Sequence, residues 1–427
     1  MSAANLEIST LDNGLKVLAV PLKERKSISV GIWAHVGSRN ESVELGGVSH
    51  FLEHIVFKGT SSRTAAQIKE SIEGVGGSMN AFTSEECTCF LAKTTRRHFE
   101  SVFATLSDMV ADAALDAKDI EKERTVILEE IKMTQDQPSQ LTEEILSEIV
   151  WPGHVLGRPI AGTHDTVSAL TRENIRAYRD DYYTPRHLTI TAAGDIDQKT
   201  LVQEAAKHFF KNKTEKEKHS TLFKPDQRKP ALKFFSKNTE QTHLALSLHA
   251  PGKDHPDEYA ADLLNVILGG NMSSRLFNEV REERGLAYDI GSFMRRHQET
   301  GAFVVSAGVD HKKAKDALAV ILTELERMTD EIVKLDELGR AKEFYLGQFE
   351  LGLENSMSQM LWNGENLMTL GALKDPEEIV KNIRKVSAED LLRVAGNLFK
   401  TSSLNLAMVG PSLSEKDYAA ILSFSKR

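Results

Sequence analysis

A five-residue stretch of the N-terminal half carries the strongest chemical signal. Between Gly47 and Phe57 the chain reads His50-Phe51-Leu52-Glu53-His54. On a helix, residues four apart lie on one face, one turn above the other. His50 and His54 therefore converge on a single ion. Glu53 lies on the same side but offset, where it reaches a water at that ion without being a ligand. That makes it the candidate catalytic base. A hydrolytic metal centre keeps three protein ligands and one open position. The third ligand must come from another element, and a carboxylate is expected.

The segment Glu121–Ile131 offers one. Glu123 and Glu130 are two helical turns apart and share a face. Val126, Ile127 and Ile131 supply an apolar side that would bury the segment. Spacing alone leaves both glutamates open as the ligand. The H-x-x-E-H order is the inverted zincin pattern, with Zn2+ as the expected metal.

Several elements must position these groups. Asn13-Gly14 marks a hairpin between Leu6–Ile8 and Leu15–Val20. A strand is predicted over Ser27–Val36, helices over His50–Phe57 and from Thr64 to the Gly74–Gly77 breaker, and strands over Ser78–Phe82 and Glu86–Lys93. Two long helices follow, near His98–Ala113 and Lys118–Gln135.

The halves echo each other. A helix from Thr171 to Tyr183 and a strand Leu188–Ala193 ending in Gly194 recur, 216 positions later, as a helix from Ser387 to Phe399 and a strand Leu404–Val409 ending in Gly410. Thr171 and Ser387 both read as N-caps. Ser29–Val36 resembles His243–Ala250. A repeat this long implies duplication of a whole domain. The charged, apolar-poor run Lys211–Ser220 reads as a linker. The predicted organisation is α+β: a metal-binding domain over 1–211, a linker over 212–229 and a second domain of the same fold over 230–427. Each is a mainly antiparallel sheet covered by helices.

The chain has 427 residues and a formal net charge of -9, which disfavours a nucleic-acid partner. No apolar run is long enough to span a bilayer. The N-terminus lacks a signal pattern, so the expected location is the cytoplasm, or the mitochondrial matrix if a presequence has been removed. Cys87 and Cys89 are read as reduced, half-buried thiols and not as metal ligands. Gly269-Gly270 lacks the ending of a phosphate loop.

Longer blocks are more specific. These are Gly47–Thr60; Asn80–Ser84; Glu123-Arg124 with Val126–Glu130; Gly157–Ile160 with Gly162-Thr163; and Leu268–Gly270 through Met272–Leu276 to Arg284–Tyr288. Through them the chain resembles the pitrilysin family of inverted-motif zinc peptidases, and within it the mitochondrial processing peptidase β-subunit and its bacterial relatives. The match spans both halves. The resemblance implies that Glu130 is the third ligand, that Glu123 orients a ligating histidine, and that Glu129 points away. It implies that Arg281 and Tyr288 complete the active site, with Tyr288 donating to the oxyanion. It makes Asn80, Ala81, Phe82 and Thr83 part of an edge strand that binds an extended peptide.

The second half has no counterpart of His50, Glu53 or His54; its equivalent helix reads Asp262-Leu263-Leu264-Asn265-Val266-Ile267-Leu268. The family encloses its substrate in a two-part clamshell, of which this chain would form half. A homodimer is thus implied, with Arg281 and Tyr288 of one subunit serving the zinc of the other. The expected function is that of a zinc metalloendopeptidase acting on peptides or unfolded segments. The alternative is a non-catalytic structural homologue, or a partner subunit of a heteromeric processing peptidase. Such homologues have damaged metal motifs, whereas every ligand, the base and the Arg/Tyr pair are present here.

Overall fold

A computed structural model describes residues 6–209, 220–411 and 414–424. Part of the expected linker, residues 212–219, lies outside the described residues. Residues 220–229 form no regular element.

Among the described residues the strands make two sheets. The first contains β1 (Ser9–Thr10), β2 (Lys16–Pro21), β3 (Ser27–Ala34), β4 (Ser78–Thr83), β5 (Thr88–Thr95) and β6 (Leu188–Gly194), in the order β1-β2-β6-β3-β5-β4. The second contains β7 (Ala231–Ser236), β8 (Thr242–Pro251), β9 (Ala287–Arg296), β10 (Thr300–Val309) and β11 (Leu404–Gly410), in the order β7-β11-β8-β10-β9. The sheets share one topology. Pairing is antiparallel except for β2 with β6 and, at the matching place, β7 with β11.

The helices of the first half are α1 (Val48–Ile55), α2 (Ala65–Glu73), α3 (Phe99–Asp112), α4 (Ala117–Asp136), α5 (Pro138–Val150), α6 (His164–Ala169), α7 (Arg172–Tyr182) and α8 (Gln198–His208). Those of the second half are α9 (Glu258–Leu268), α10 (Ala314–Asp330), α11 (Leu335–Gly352), α12 (Ser356–Leu370), α13 (Pro376–Lys385), α14 (Ala388–Leu398) and α15 (Glu415–Ala419). The repeat is visible residue by residue. Helices α7 and α14, the following 3-10 turns, and strands β6 and β11 keep the offset of 216 at both of their ends. Thr171 and Ser387 cap α7 and α14, each accepting from the backbone N–H three residues on.

The residues gather into two compact units that are not contiguous in the chain. One holds the described residues of Met1–Lys132, Arg158–Ser220 and Glu350–Pro376; the other holds those of Met133–Gly157, Thr221–Phe349 and Glu377–Arg427. Helix α12, late in the chain, thus packs on β3 and β6 of the first sheet, while α5 packs on β8 and β11 of the second.

In the first unit this gives β3 a buried neighbour on both faces. Ile28, Val30 and Ile32 meet the core formed with α1 and α3; Trp33, on the opposite face, clusters with Met360 and Leu367 of α12. Strand β3 therefore reads as a near-continuous buried run and not as an alternating one. The Trp33 indole N–H donates to Thr191 Oγ1 at 2.8 Å, satisfying its polar atom inside that layer.

Candidate metal and catalytic site

Helix α1 is short, so its position is set by packing. Val48, Ser49, Phe51, Leu52 and Ile55 are buried. Full burial of Phe51 and Leu52 contributes roughly 1.5–3 kcal/mol each. The opposite side presents His50, Glu53 and His54, all half-buried. Helix α4 lies across them. Its core-facing residues are Ile120, Glu123, Ile127 and Ile131. Val126, expected on that buried side, is exposed. It lies about 100° around the helix from Ile127, which places it beyond the contact stripe. Arg124 fixes the rotation of α4: its guanidinium donates to the carbonyls of Val167 and Leu170 and stacks on the Phe51 ring.

The two elements bring His50, His54 and Glu130 together. Glu130 Oε2 stands 3.8 Å from His50 Nε2 and 3.6 Å from His54 Nε2. One ligand atom from each residue lies within 4.8 Å of the others. Ligands around a tetrahedral zinc, at about 2.0–2.1 Å from it, stand about 3.3–3.4 Å apart. The donor set is also chemically suited: two imidazoles and one carboxylate, leaving a fourth position. Burial, reinforced by the nearby His54, pushes the His50 pKa down to about 4. His50 is thus neutral, the form that ligates. Its Nδ1 is buried and finds no hydrogen-bond partner among the described residues.

His54 is better held. Its Nδ1 lies 3.3 Å from Glu123 Oε2, while Glu123 Oε1 pairs with Lys58 Nζ at 2.7 Å. A proton on Nδ1, shared with Glu123, leaves the Nε2 lone pair aimed toward Glu130. Glu129 is elsewhere, exposed and paired with Lys132.

Glu53 accepts a hydrogen bond from Thr83 Oγ1 at 2.6 Å. Burial raises its carboxyl pKa above the ordinary value, and Glu130 adds to the rise; Thr83 and His54 oppose it. A raised carboxyl pKa suits a group that takes and returns a proton near neutral pH. Cys89 lies near Glu53 but is fully buried, and burial pushes its thiol pKa well up. Neither cysteine is in a disulfide, and both are buried, more deeply than expected.

Strand β4 carries Asn80, Ala81, Phe82 and Thr83 at the edge of the first sheet, paired among the described residues only with β5. Asn80 and Phe82 point outward, Phe82 with its ring edge-on to Trp33 at 5.8 Å. Ala81 and Thr83 point the other way. Arg281 and Tyr288 belong to the second unit and meet there. Arg281 lies in a π-helical turn, Phe277–Glu283, with its guanidinium 4.7 Å from the Phe277 ring centre and 5.1 Å from that of Tyr288. Tyr288 is 76% exposed at the start of β9.

Sequence reasoning missed one buried acid. Glu41 accepts from the backbone N–H of Gly47 at 2.7 Å and of Ser49 at 2.8 Å, at the start of α1. It precedes the helix by a loop, outside any capping pattern, and no sequence signal marks it.

Two family models match the chain. Residues 16–164 match Insulinase (Peptidase family M16), and residues 169–345 match the Peptidase M16 inactive domain. A protein of Bacillus subtilis, named as an uncharacterized zinc protease, is 36% identical over 403 residues, covering 94% of this chain and 98% of its own. The chain belongs to peptidase family M16. A Streptomyces coelicolor relative of this M16 chain, also named as an uncharacterized zinc protease, is 35% identical over 411 residues, covering 94% of this chain and 89% of its own. A solved protease from Helicobacter pylori superposes with a TM-score of 0.91 at 26% identity, covering 95% of this chain and all of that one. The division between two M16 domains matches the chemistry: the HxxEH residues fall in the first matched segment, and α9 of the second holds no histidine. No helix among the described residues is long and apolar enough to cross a membrane.

Proposed function

We propose that this M16 protein is a zinc metalloendopeptidase that hydrolyses peptides or unfolded protein segments. The observation that carries the reading is the approach of Glu130 Oε2 to both Nε2 atoms, with the Glu53 carboxylate beside them. His50, His54 and Glu130 would hold the ion. When bound, it supplies Lewis acidity, polarising the scissile carbonyl and acidifying water. Glu53 takes the proton of the attacking water and passes it to the leaving amine. Thr83 steadies that carboxylate in the orientation required. Glu123 fixes the His54 ring through Nδ1.

An extended substrate adds to the free edge of β4, using main-chain hydrogen bonds of Asn80–Thr83. Tyr288 donates to the oxyanion and Arg281 braces its ring. The exposure of Tyr288 supports a role toward a molecule outside its own unit. The working form is a homodimer in which this pair serves the other subunit's metal.

The test is Glu53→Gln. The variant is expected to keep stoichiometric zinc and lose at least about 99% of peptide cleavage, a factor within the usual range for a general base. Cleavage near the parent rate would refute the role of Glu53; a parent protein that takes up no zinc would refute the metal site.

A further inference from the structure

Helix α1 begins without help from its own N-cap. Gly47 occupies that place in the left-handed region, with φ of +93°, and offers no side chain. The geometry leaves no room for one. A Cβ on Gly47 would stand 2.5 Å from the carbonyl oxygen of Ala161, and a Cβ on Gly162 would stand 2.5 Å from that of Gly46. Two glycine turns therefore press together backbone to backbone. The loop formed by the Gly157–Thr163 motif is thus the wall against which the metal-binding helix starts.

The cap is supplied from a distance. Both oxygens of Glu41 are used, Oε2 by Gly47 N–H and Oε1 by Ser49 N–H. Glu41 is only 6% exposed. The Arg158 charge of the same loop acts on it, and burial raises its pKa to about 7 against that charge and the two N–H donors. Arg158 Nη1 is buried with no hydrogen-bond partner among the described residues. The Ser49 hydroxyl meets Tyr178 OH at 2.8 Å, which ties the same turn to α7. A carboxylate at a helix N-terminus satisfies orphan N–H groups and complements the helix dipole. Here the capped turn also contains the first histidine, one residue beyond Ser49.

We propose that Glu41 is a positioning residue for the metal centre, its buried carboxylate clamping the first turn of α1 and so setting His50 and His54 against Glu130. The proposal rests on the metal reading above. His50 has no partner of its own at Nδ1, so its placement depends on where its helix starts. His54, by contrast, is held directly by Glu123.

Glu41→Gln keeps the shape but turns an NH2 group toward one of the two N–H donors, so one of the two bonds is lost. Glu41→Asp keeps the charge on a shorter stem. Zinc affinity is measured by competition with a chromophoric chelator, without substrate. Val305→Ala in the second sheet serves as the control for lost stability. The expected result is a zinc dissociation constant raised roughly ten-fold or more in Glu41→Gln, partly recovered in Glu41→Asp and within two-fold of the parent in Val305→Ala. Zinc affinity of Glu41→Gln within two-fold of the parent would overturn the proposal, as would an equal loss in Val305→Ala. Native-state amide exchange of the unmutated protein gives a second reading that needs no variant to fold. Gly47 and Ser49 N–H are expected to be protected like the core of α1, and exchange at free-amide rates overturns the clamp. If the parent binds no zinc, the metal reading fails by itself, and the amide exchange still decides the clamp.

Discussion

At the residue scale, the proposed metal site would divide its work between groups that face the ion and groups that face away from it. Glu123 shows the division best. It is 5% exposed, sits between His54 and Lys58, and has both oxygens occupied. Its cost of burial is offset by those two partners. Glu123→Gln removes the charge and turns an amide toward one of them. We expect zinc affinity to fall by roughly 10–100-fold, the usual effect of losing a partner to a ligating histidine. Isothermal titration of the metal-free protein checks this, and an unchanged affinity would reduce Glu123 to an ion pair with Lys58. The pair Glu123 and Glu130 was legible in the sequence because two turns of helix bring them to one face. Their division of roles was not. It depends on which nitrogen of His54 each one meets, a matter of how α4 lies across α1. Glu41 was illegible for a related reason: it acts through a loop, and neither periodicity nor capping pattern reports such a contact.

At the element scale, the elements around the HxxEH motif and within the 216-residue repeat were readable, with ends shifted by a few residues, whereas α5, α10 to α13, β7, β9 and β10 were not predicted. Strand β3 stops at Ala34, before the predicted Val36, and α1 begins at Val48, before His50. What periodicity cannot say is which sheet buries a helix. Helix α12 packs on the first sheet although it lies late in the chain, and its contact side mixes Met360 and Leu367 with Ser356, Asn363 and Gly364. No clean apolar stripe announces such a face. Close approach replaces it. A Cβ on Gly364 would stand 2.4 Å from Trp33 Cε2 and Cζ2, and one on Gly31 would stand 2.6 Å from Met360 Sδ. Gly364→Ala should therefore push α12 away from β3 and destabilise the protein by about 1–3 kcal/mol, the range for overpacking a filled layer. Gly364 is helical, so the change also gains a better helix former, worth up to about 1 kcal/mol in the opposite direction. Urea denaturation followed by tryptophan fluorescence reads the net of the two. A variant more stable than the parent would mean that the Trp33 ring yields.

At the scale of the whole molecule, two sheets of like order stand in one chain, and only the first is accompanied by the HxxEH residues. The two sheets share an order and a single parallel pairing at the same place, so each unit presents an edge strand of the same kind. On β4 that edge lies beside Glu53; on β9 it begins with Ala287 and the exposed Tyr288. The proposed homodimer makes one active site from the first unit of one copy and the second unit of the other. A subunit with His50→Ala has no working metal site but an intact Tyr288. A subunit with Tyr288→Phe keeps the metal and lacks the phenol O–H. Each is inactive or nearly so alone. Mixed and allowed to exchange, half the dimers are heterodimers at equal concentration. Each heterodimer then contains one site with metal and tyrosine together. Of four sites in two parent dimers, one is recovered on average, so the mixture should reach about a quarter of the parent rate if loss of the phenol O–H costs the 100-fold or more seen for an oxyanion-hole donor. Rescue that requires exchange, and that vanishes when the His50→Ala partner also carries Tyr288→Phe, ties the recovered activity to the tyrosine contributed in trans. A mixture that stays at the sum of its parts, with exchange verified by native mass spectrometry, would place Tyr288 with the metal of its own subunit or outside catalysis altogether.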